Sequence, residues 1–269
     1  MRLVKGLLER CLGVVELLAV DTRWRRLSDI AAALDLQKGP AHRLLAEMTA
    51  LGWIEQDADT ERYRLTLKLA LLGQQYLRGT GLPAVARPVL DEVAKRCCEL
   101  VRLTVVQDDA LHWFASSQGA LPGLMYQPSL GGRPRLHTTA NGKAWLATMS
   151  DEAAARLALQ GGLGRDAPGA PDTGPRALRD VAELMRDLDA TRARGYGLAV
   201  EEAETGVKAI AVAVRALDDK RVVGTLSIAG PLLRMGPERD GDFHLLLQHA
   251  AGTLGMVWPH DEIALADAA

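Results

Sequence analysis

The acidic residues Glu201, Glu202 and Glu204 are the first candidates for chemistry, because they lie within four positions of the chain. Paired carboxylates can act as general acid and general base when a nucleophile, a further base or a metal accompanies them. The sequence near them contains no nucleophile motif and no metal-ligand spacing. His244 and His249 are five residues apart and lack a third ligand, which argues against zinc. We therefore predict no catalytic residues, no metal and no cofactor.

Residues with the chemistry of nucleic-acid recognition occur at the start of a predicted helix. The helix opens with a proline in its first turn, a position that suits proline. Its first two turns contain Lys38, Gly39, His42 and Arg43. An arginine there can bond O6 and N7 of one guanine, which contributes about 1–3 kcal/mol of discrimination. The alternative is an exposed arginine that pairs with Glu47 one turn later.

Three helices and a hairpin are predicted in the first 66 residues. Apolar residues recur at helical spacing over 5–20, 27–34 and 38–51, and two short β-type stretches follow over 53–55 and 62–65. Helix, helix, short turn, helix and hairpin is the order of a winged helix-turn-helix domain. The predicted core face of the first helix consists of Leu8, Cys11, Leu12, Val15 and Leu18.

Two further kinds of DNA contact are expected in this domain. Ser28 is predicted to cap the second helix and to contact DNA at that end. Arg62 and Arg64 lie in the hairpin, where their guanidinium groups can bind phosphates. Such contacts position a protein on DNA without reading its sequence. The alternative for both arginines is a solvated wing.

The remainder of the chain predicts an α+β domain. Helices are expected over 85–100, 139–149, 151–160, 177–194 and 239–257, and strands over 101–106, 111–116, 207–217 and 222–229. Regular βαβ alternation is missing, so we expect an antiparallel sheet flanked by helices. The predicted organisation is a winged helix-turn-helix domain (1–66), a linker helix (67–80), an α+β domain (81–260) and a disordered tail (261–269).

Composition and charge add little about partners. The chain has 269 residues, of which 48% are hydrophobic and 25% charged, with a net charge of −2. Residues 1–80 carry +2 and the rest −4, an asymmetry too mild to indicate DNA binding alone. No apolar run approaches the ~20 residues of a membrane span. Three cysteines without disulfide or metal spacing indicate a reducing environment, so we expect a cytoplasmic protein.

Several separated stretches, in order along the chain, resemble the isocitrate-lyase regulator (IclR) family of bacterial transcription factors. In the first 75 residues they include Leu27-Ser28-Asp29-Ile30-Ala31, His42-Arg43-Leu44-Leu45 and Leu51-Gly52-Trp53-Ile54-Glu55. Later ones are His137-Thr138-Thr139-Ala140-Asn141-Gly142-Lys143-Ala144, Arg194-Gly195-Tyr196-Gly197 and Val223-Gly224-Thr225-Leu226-Ser227-Ile228. The resemblance implies a GAF-like domain that binds a small-molecule effector, dimers or tetramers, and a recognition helix in the major groove of an operator.

The resemblance also implies an effector site, with departures from the family pattern. Its residues here are Ala140, Asn141, Gly142, Ala199, Val207, Ala209, Ser227 and Ala229. Alanines replace polar residues at 199, 209 and 229. A pocket with fewer polar groups should prefer a less polar ligand, such as an aromatic acid.

Two alternatives remain open at this point. One is a regulator whose pocket has degenerated and senses nothing. The other is an enzymatic or metabolite-binding module that uses its winged helix for protein contacts.

Overall fold

The computed structural model describes residues 6–128, 133–165 and 173–258, and the tail predicted for 261–269 lies outside them. The chain divides into two compact units, Met1–Gly79 and Thr80–Ala269.

The first unit has the predicted order of helices and hairpin. Its elements are α1 (Leu7–Ala19), α2 (Leu27–Ala33), α3 (Lys38–Ala50), β1 (Ile54–Gln56), β2 (Tyr63–Leu65) and α4 (Lys68–Thr80), which ends at the boundary between the units. The antiparallel hairpin pairs Glu55 with Arg64. Apolar side chains from α1, α2, α3 and the hairpin form one core around Leu45.

The predicted core face of α1 is wrong in part. Leu8 and Leu12 are 72% and 53% exposed, whereas Val14 and Leu18 are buried. Cys11 and Val15, also predicted, pack against the core from its edge. The reason is that α1 is apolar around most of its circumference, so spacing alone does not determine which side faces the core.

The predicted capping role of Ser28 is also wrong. Arg25 pairs with Tyr63 through two backbone hydrogen bonds of 2.7 and 2.9 Å. This extended segment leads directly into α2, so Arg26 occupies the N-cap position. Ser28 therefore lies inside the first turn, where its hydroxyl donates to Asp29 Oδ1 at 3.1 Å.

The second unit is an antiparallel sheet flanked by helices. The helices are α5 (Leu82–Cys97), α6 (Ala140–Leu146), α7 (Asp151–Gln160), α8 (Val181–Arg194) and α9 (Asp240–Val257). The strands are β3 (Leu100–Gln107), β4 (Ala110–Gln118), β5 (Gly197–Val200), β6 (Val207–Arg215) and β7 (Val222–Pro231). In the described residues the strand order is β4-β3-β7-β6-β5. The short, glycine-led β5 was not predicted.

The two faces of this sheet differ in side-chain size. One face carries large aliphatic residues that pack against α5 and α9. The other carries alanines, and α6 lies on it. A Cβ on Gly197 would come within 2.3 Å of the Ala140 carbonyl oxygen, so β5 and α6 approach closely only because residue 197 has no side chain. This close approach sets the position of the start of α6 over the sheet.

Candidate functional site

A cavity lies over the small-residue face of the sheet, beside the start of α6. Its volume, counted to its mouth, is about 440 Å³. Of the predicted effector residues, those that line it are Ala140, Asn141, Ala199, Val207, Ala209, Ser227 and Ala229. These residues come from α6, β5, β6 and β7, so the fold brings together positions up to 89 residues apart.

Gly142 does not line this cavity. Its N–H donates to the Thr139 hydroxyl at 3.1 Å, which caps α6. A Cβ at this position would lie 2.3 Å from Leu136 Cα, so the residue faces the preceding chain. The predicted contact between Gly142 and the effector therefore has no support from the cavity lining, because its donor is already used and its open side is blocked.

The floor of the cavity is apolar. Ala229 pairs with Ala209, and Ala209 pairs with Ala199, so three methyl groups form one row across three strands. Ser227 also lines the cavity, and its hydroxyl donates to the Arg102 carbonyl oxygen at a long 3.4 Å. The sheet register thus explains how three alanines far apart in sequence remove polarity from one surface.

Arg102 supplies a positive charge at the cavity. It lies on β3 opposite Ser227, and its guanidinium stacks on Trp113 with Cζ 3.2 Å from the ring centroid. Burial lowers the pKa of Arg102 to about 10, although Tyr126 and Glu204 oppose that fall. Within the described residues no carboxylate oxygen lies within 4 Å of this guanidinium. A partly buried cation of this kind favours an anionic ligand.

Other residues of the wall offer hydrogen-bond acceptors, and two of them are close enough to Arg102 to affect its pKa. The Tyr126 hydroxyl donates to Glu204 Oε1 at 2.9 Å, and burial next to this carboxylate raises the pKa of the Tyr126 phenol. Thr138 also lines the cavity and is fully buried, and its hydroxyl has no hydrogen-bond partner in the described chain. These groups can accept donors from a ligand.

A buried ion network borders the cavity at Glu202. The side chain of Lys143 is 0% exposed, and its Nζ lies 2.5 Å from Asp187 Oδ2 and 2.6 Å from Glu202 Oε2. Glu202 Oε1 accepts from the same Nζ at 2.7 Å, and the Leu198 carbonyl oxygen accepts at 2.8 Å. Burial raises the pKa of Glu202 to about 7 against the opposing effect of Lys143. Glu202 therefore titrates close to neutral pH.

The side chain of Asn141 is used for structure. Its amide donates to Thr225 Oγ1 at 2.9 Å, and that hydroxyl lies 2.6 Å from Thr104 Oγ1. All three residues are buried. This chain of hydrogen bonds ties α6 to β7 and β3, so Asn141 lines the cavity while its amide anchors the helix.

The exposed face of α3 presents the residues predicted to read DNA. Lys38, Gly39, His42 and Arg43 are all exposed, and the opposite side of the helix is buried in the core. In the described residues Arg43 makes no ion pair within 4 Å, so the alternative pairing with Glu47 is not formed. Arg43 is thus available for a contact outside the unit.

The two hairpin arginines differ from each other. Arg64 pairs with Glu55 at 2.5 Å across the hairpin and stacks on Trp24 at 4.2 Å. Arg62 is half-buried in a cleft beside Trp24 and Arg25. Arg62 is therefore more available to bind a phosphate than Arg64, whose charge Glu55 partly neutralises.

Eight residues that line the cavity were not among the predicted effector residues, and most of them are charged or aromatic. The missed residues are Arg102, Trp113, Tyr126, Thr138, Thr139, Glu202, Ala203 and Glu204. One signal was present, because Arg102 interrupts the apolar run Leu100–Val106 of a strand whose other residues predict burial. The sequence draws attention to Glu202 and Glu204 as a cluster of acidic residues, but it does not predict that they line the effector site.

The described ranges contain no group of three His, Cys, Asp or Glu residues that could hold a metal ion. In those ranges no helix is long and apolar enough to cross a membrane.

A winged helix-turn-helix unit with an exposed basic helix, followed by an α+β unit with a cavity over its sheet, has the architecture of a DNA-binding regulator. Comparison with known families identifies which one. Residues 7–58 match the IclR helix-turn-helix domain, and residues 74–255 match the C-terminal domain of the bacterial transcriptional regulator IclR. The chain belongs to the IclR family of transcriptional regulators.

Individual relatives agree with this assignment. The chain is 34% identical to the glycerol operon regulatory protein of Streptomyces griseus over 239 residues, or 86% of this chain and 87% of that one. It is 26% identical to the transcriptional repressor IclR of Escherichia coli over 246 residues, or 91% and 86% of the two chains. These relatives are named as regulators, not enzymes.

Solved structures share the fold over nearly the whole chain. An IclR-type regulator from Alicyclobacillus acidocaldarius superposes with a TM-score of 0.80 at 23% identity, covering 96% of this chain and all of that one. An IclR homologue from Microbacterium hydrocarbonoxydans, solved with 4-hydroxybenzoate, gives 0.73 at 25% identity, covering 93% and 98%.

Proposed function

We propose that this regulator binds a specific operator through α3 and that a small monocarboxylate with an apolar body, such as an aromatic acid, modulates that binding. The observation that carries the effector class is Arg102, a partly buried guanidinium at the cavity without a carboxylate partner. A regulator that binds an operator acts in the cytoplasm, because bacterial DNA lies there.

The chemistry of the cavity supports one carboxylate and one apolar group. A charged hydrogen bond to a carboxylate would offset the desolvation that lowers the pKa of Arg102. The alanine row offers only methyl contacts, which suit an aromatic or aliphatic body. The aromatic acid bound by the Microbacterium hydrocarbonoxydans homologue supports the same class.

Benzoate tests the effector class. We expect isothermal titration calorimetry to detect benzoate binding to the wild-type protein, and benzamide, which has the same ring without the charge, to bind at least tenfold more weakly. Arg102→Met should remove benzoate binding. Arg87→Met is the matched control, because Arg87 is exposed and pairs with Asp91 on α5. Equal binding of benzoate by Arg102→Met and Arg87→Met would contradict the assignment.

Operator binding is tested with the DNA upstream of the protein's own gene. Fluorescence anisotropy in the presence of scrambled competitor should show specific binding that weakens log-linearly with salt, because phosphate contacts release counterions. Benzoate should shift the binding curve. Binding equal to that of scrambled DNA, on this and on other intergenic fragments, would contradict sequence-specific recognition.

We propose further that the regulator acts as a homodimer or a dimer of dimers. None of the residues of α4 is buried, yet the helix carries the large apolar side chains of Leu71, Leu72 and Tyr76. Contiguous exposed apolar residues of this kind are typical of an interface. Analytical ultracentrifugation should show a dimer or tetramer, and Leu71→Glu should shift it toward smaller species. A monomeric wild-type protein would contradict the proposal.

A further inference from the structure

Two groups of charged residues border the cavity before any ligand enters. In the buried network, Lys143 and Arg194 face Asp187 and Glu202, since Arg194 NH2 lies 3.1 Å from Asp187 Oδ1. On the cavity wall Arg102 and Glu204 attract each other without forming an ion pair within 4 Å, and the Tyr126 hydroxyl donates to Glu204. The charged groups that face Glu202 are Lys143 on α6 and Asp187 on α8, and the Val200 N–H of β5 donates to Glu202 Oε1 at 3.4 Å. The neighbouring Glu201 pairs with Arg176 at 3.6 Å.

A carboxylate effector changes the electrostatics of these residues. It adds one negative charge to a partly open site that already contains two carboxylates, Glu202 and Glu204. Glu202 lines this cavity, so a charge inside it lies near Glu202, and the partly buried walls screen that charge less than bulk water does. One of the acidic groups must therefore become easier to protonate.

Glu202 is the better of the two candidates. It is buried, whereas Glu204 is only half-buried and keeps the Tyr126 hydroxyl as a hydrogen-bond donor to its charged form. Lys143 Nζ has two other oxygen partners, Asp187 Oδ2 and the Leu198 carbonyl, which remain when Glu202 becomes neutral. The network can thus hold Lys143 in either protonation state of Glu202.

We infer that binding of a carboxylate effector in this cavity is coupled to the uptake of a proton by Glu202, which makes Glu202 a residue that sets effector affinity. The inference rests on the proposed effector class. It agrees with the raised pKa of Glu202, about 7, because a group that titrates there can change its charge under physiological conditions. Effector affinity then falls as the pH rises above neutral.

Calorimetry of benzoate binding in two buffers tests the coupling. At pH 7.5 the observed enthalpy should differ between phosphate and Tris, because the buffer supplies the proton, and the difference should correspond to about half a proton. The dissociation constant should increase roughly three- to tenfold between pH 6.5 and 8.5. Glu202→Gln should remove both effects, and the matched variant Glu204→Gln should keep them.

The outcomes separate the two proposals. Benzoate that binds with equal enthalpy in both buffers and with a flat pH profile would overturn the coupling while leaving the effector class intact. Absence of benzoate binding at every pH would overturn the effector class and the coupling with it. If Glu202→Gln does not fold, the wild-type buffer comparison still tests proton uptake, and Glu204→Gln still tests which carboxylate takes up the proton. Loss of the pH dependence in Glu204→Gln alone would assign the proton to Glu204 and refute the role of Glu202.

Discussion

The raised pKa of Glu202 predicts an unusual pH dependence of folding stability. Its carboxyl has a pKa of about 7 in the folded chain against an ordinary value of 4.5, because the group is buried. Between these two values the folded protein holds a proton that the unfolded chain releases. Stability must therefore fall as the pH rises from 4.5 through 7, and the loss is complete above 7.

The size of this loss follows from the difference between the two pKa values. The two pKa values differ by about 2.5, and each pKa unit corresponds to roughly 1.4 kcal/mol, so the free energy of unfolding falls by about 3 kcal/mol. Lys143 already acts against the rise, and its pull is included in the value of about 7. For a urea m-value of about 2 kcal/mol/M, the midpoint of unfolding would shift by about 1.5 M.

Urea unfolding of the wild-type protein and of Glu202→Gln at pH 5, 6, 7 and 8 measures this effect. The free energy of unfolding of the wild type should decline relative to the variant across that range, since the variant has no proton to release at position 202. Other titrating groups are common to both proteins and cancel in the comparison. If the difference in unfolding free energy between the two proteins stayed constant, or if the wild type gained stability relative to the variant as the pH rises, the effect of Lys143 on Glu202 would outweigh that of burial.

Three further predictions concern the helix and the sheet. Arg43→Ala should weaken binding to the operator by about 1–3 kcal/mol and leave binding to scrambled DNA nearly unchanged, as measured by anisotropy; equal losses on both would make Arg43 a phosphate contact. Gly39→Ser with Pro40→Thr should tighten operator binding roughly three- to tenfold, because a Cβ at Gly39 meets no atom within 4 Å and the hydroxyls can reach phosphates. Gly197→Ala should lower the free energy of unfolding by about 1–3 kcal/mol, because the new methyl group would contact the Ala140 carbonyl oxygen. The control Gly252→Ala, at an exposed position of α9 with open space around it, should not lower it. A Gly197→Ala variant as stable as the wild type would refute the tight packing of α6 on β5.

Local patterns were sufficient to predict most helices and strands. The predicted recognition helix begins at Lys38 as observed, and α7 has the predicted ends, Asp151 and Gln160. The errors arose where a partner distant in sequence determines the structure. Tyr63 fixes Arg25 and thereby the start of α2, and β5 is a strand only because β6 pairs with it. Spacing within a segment does not contain that information.

The candidate site divides in the same way. The family resemblance predicted most of the residues that form the floor of the cavity, but it did not predict the charged and aromatic residues of the wall. Arg102 meets Ser227 only through the register between β3 and β7, and Lys143 meets Glu202 across 59 positions of the chain. A charged residue inside an apolar strand shows that something must compensate for its burial, but it does not show which residue does so.

The three alanines form an apolar floor beneath a polar wall, which differs from the pocket expected from the sequence. From the sequence, Ala199, Ala209 and Ala229 indicated a pocket that had lost its polar contacts. In the structure the polar groups lie on the wall of the cavity, where Arg102 provides a cation and Glu202 and Glu204 provide hydrogen-bond acceptors. An effector should therefore place its apolar body on the alanine row and its carboxylate toward β3. Specificity then depends on the distance between the charged end and the apolar body of the ligand, and not on polar groups beneath it.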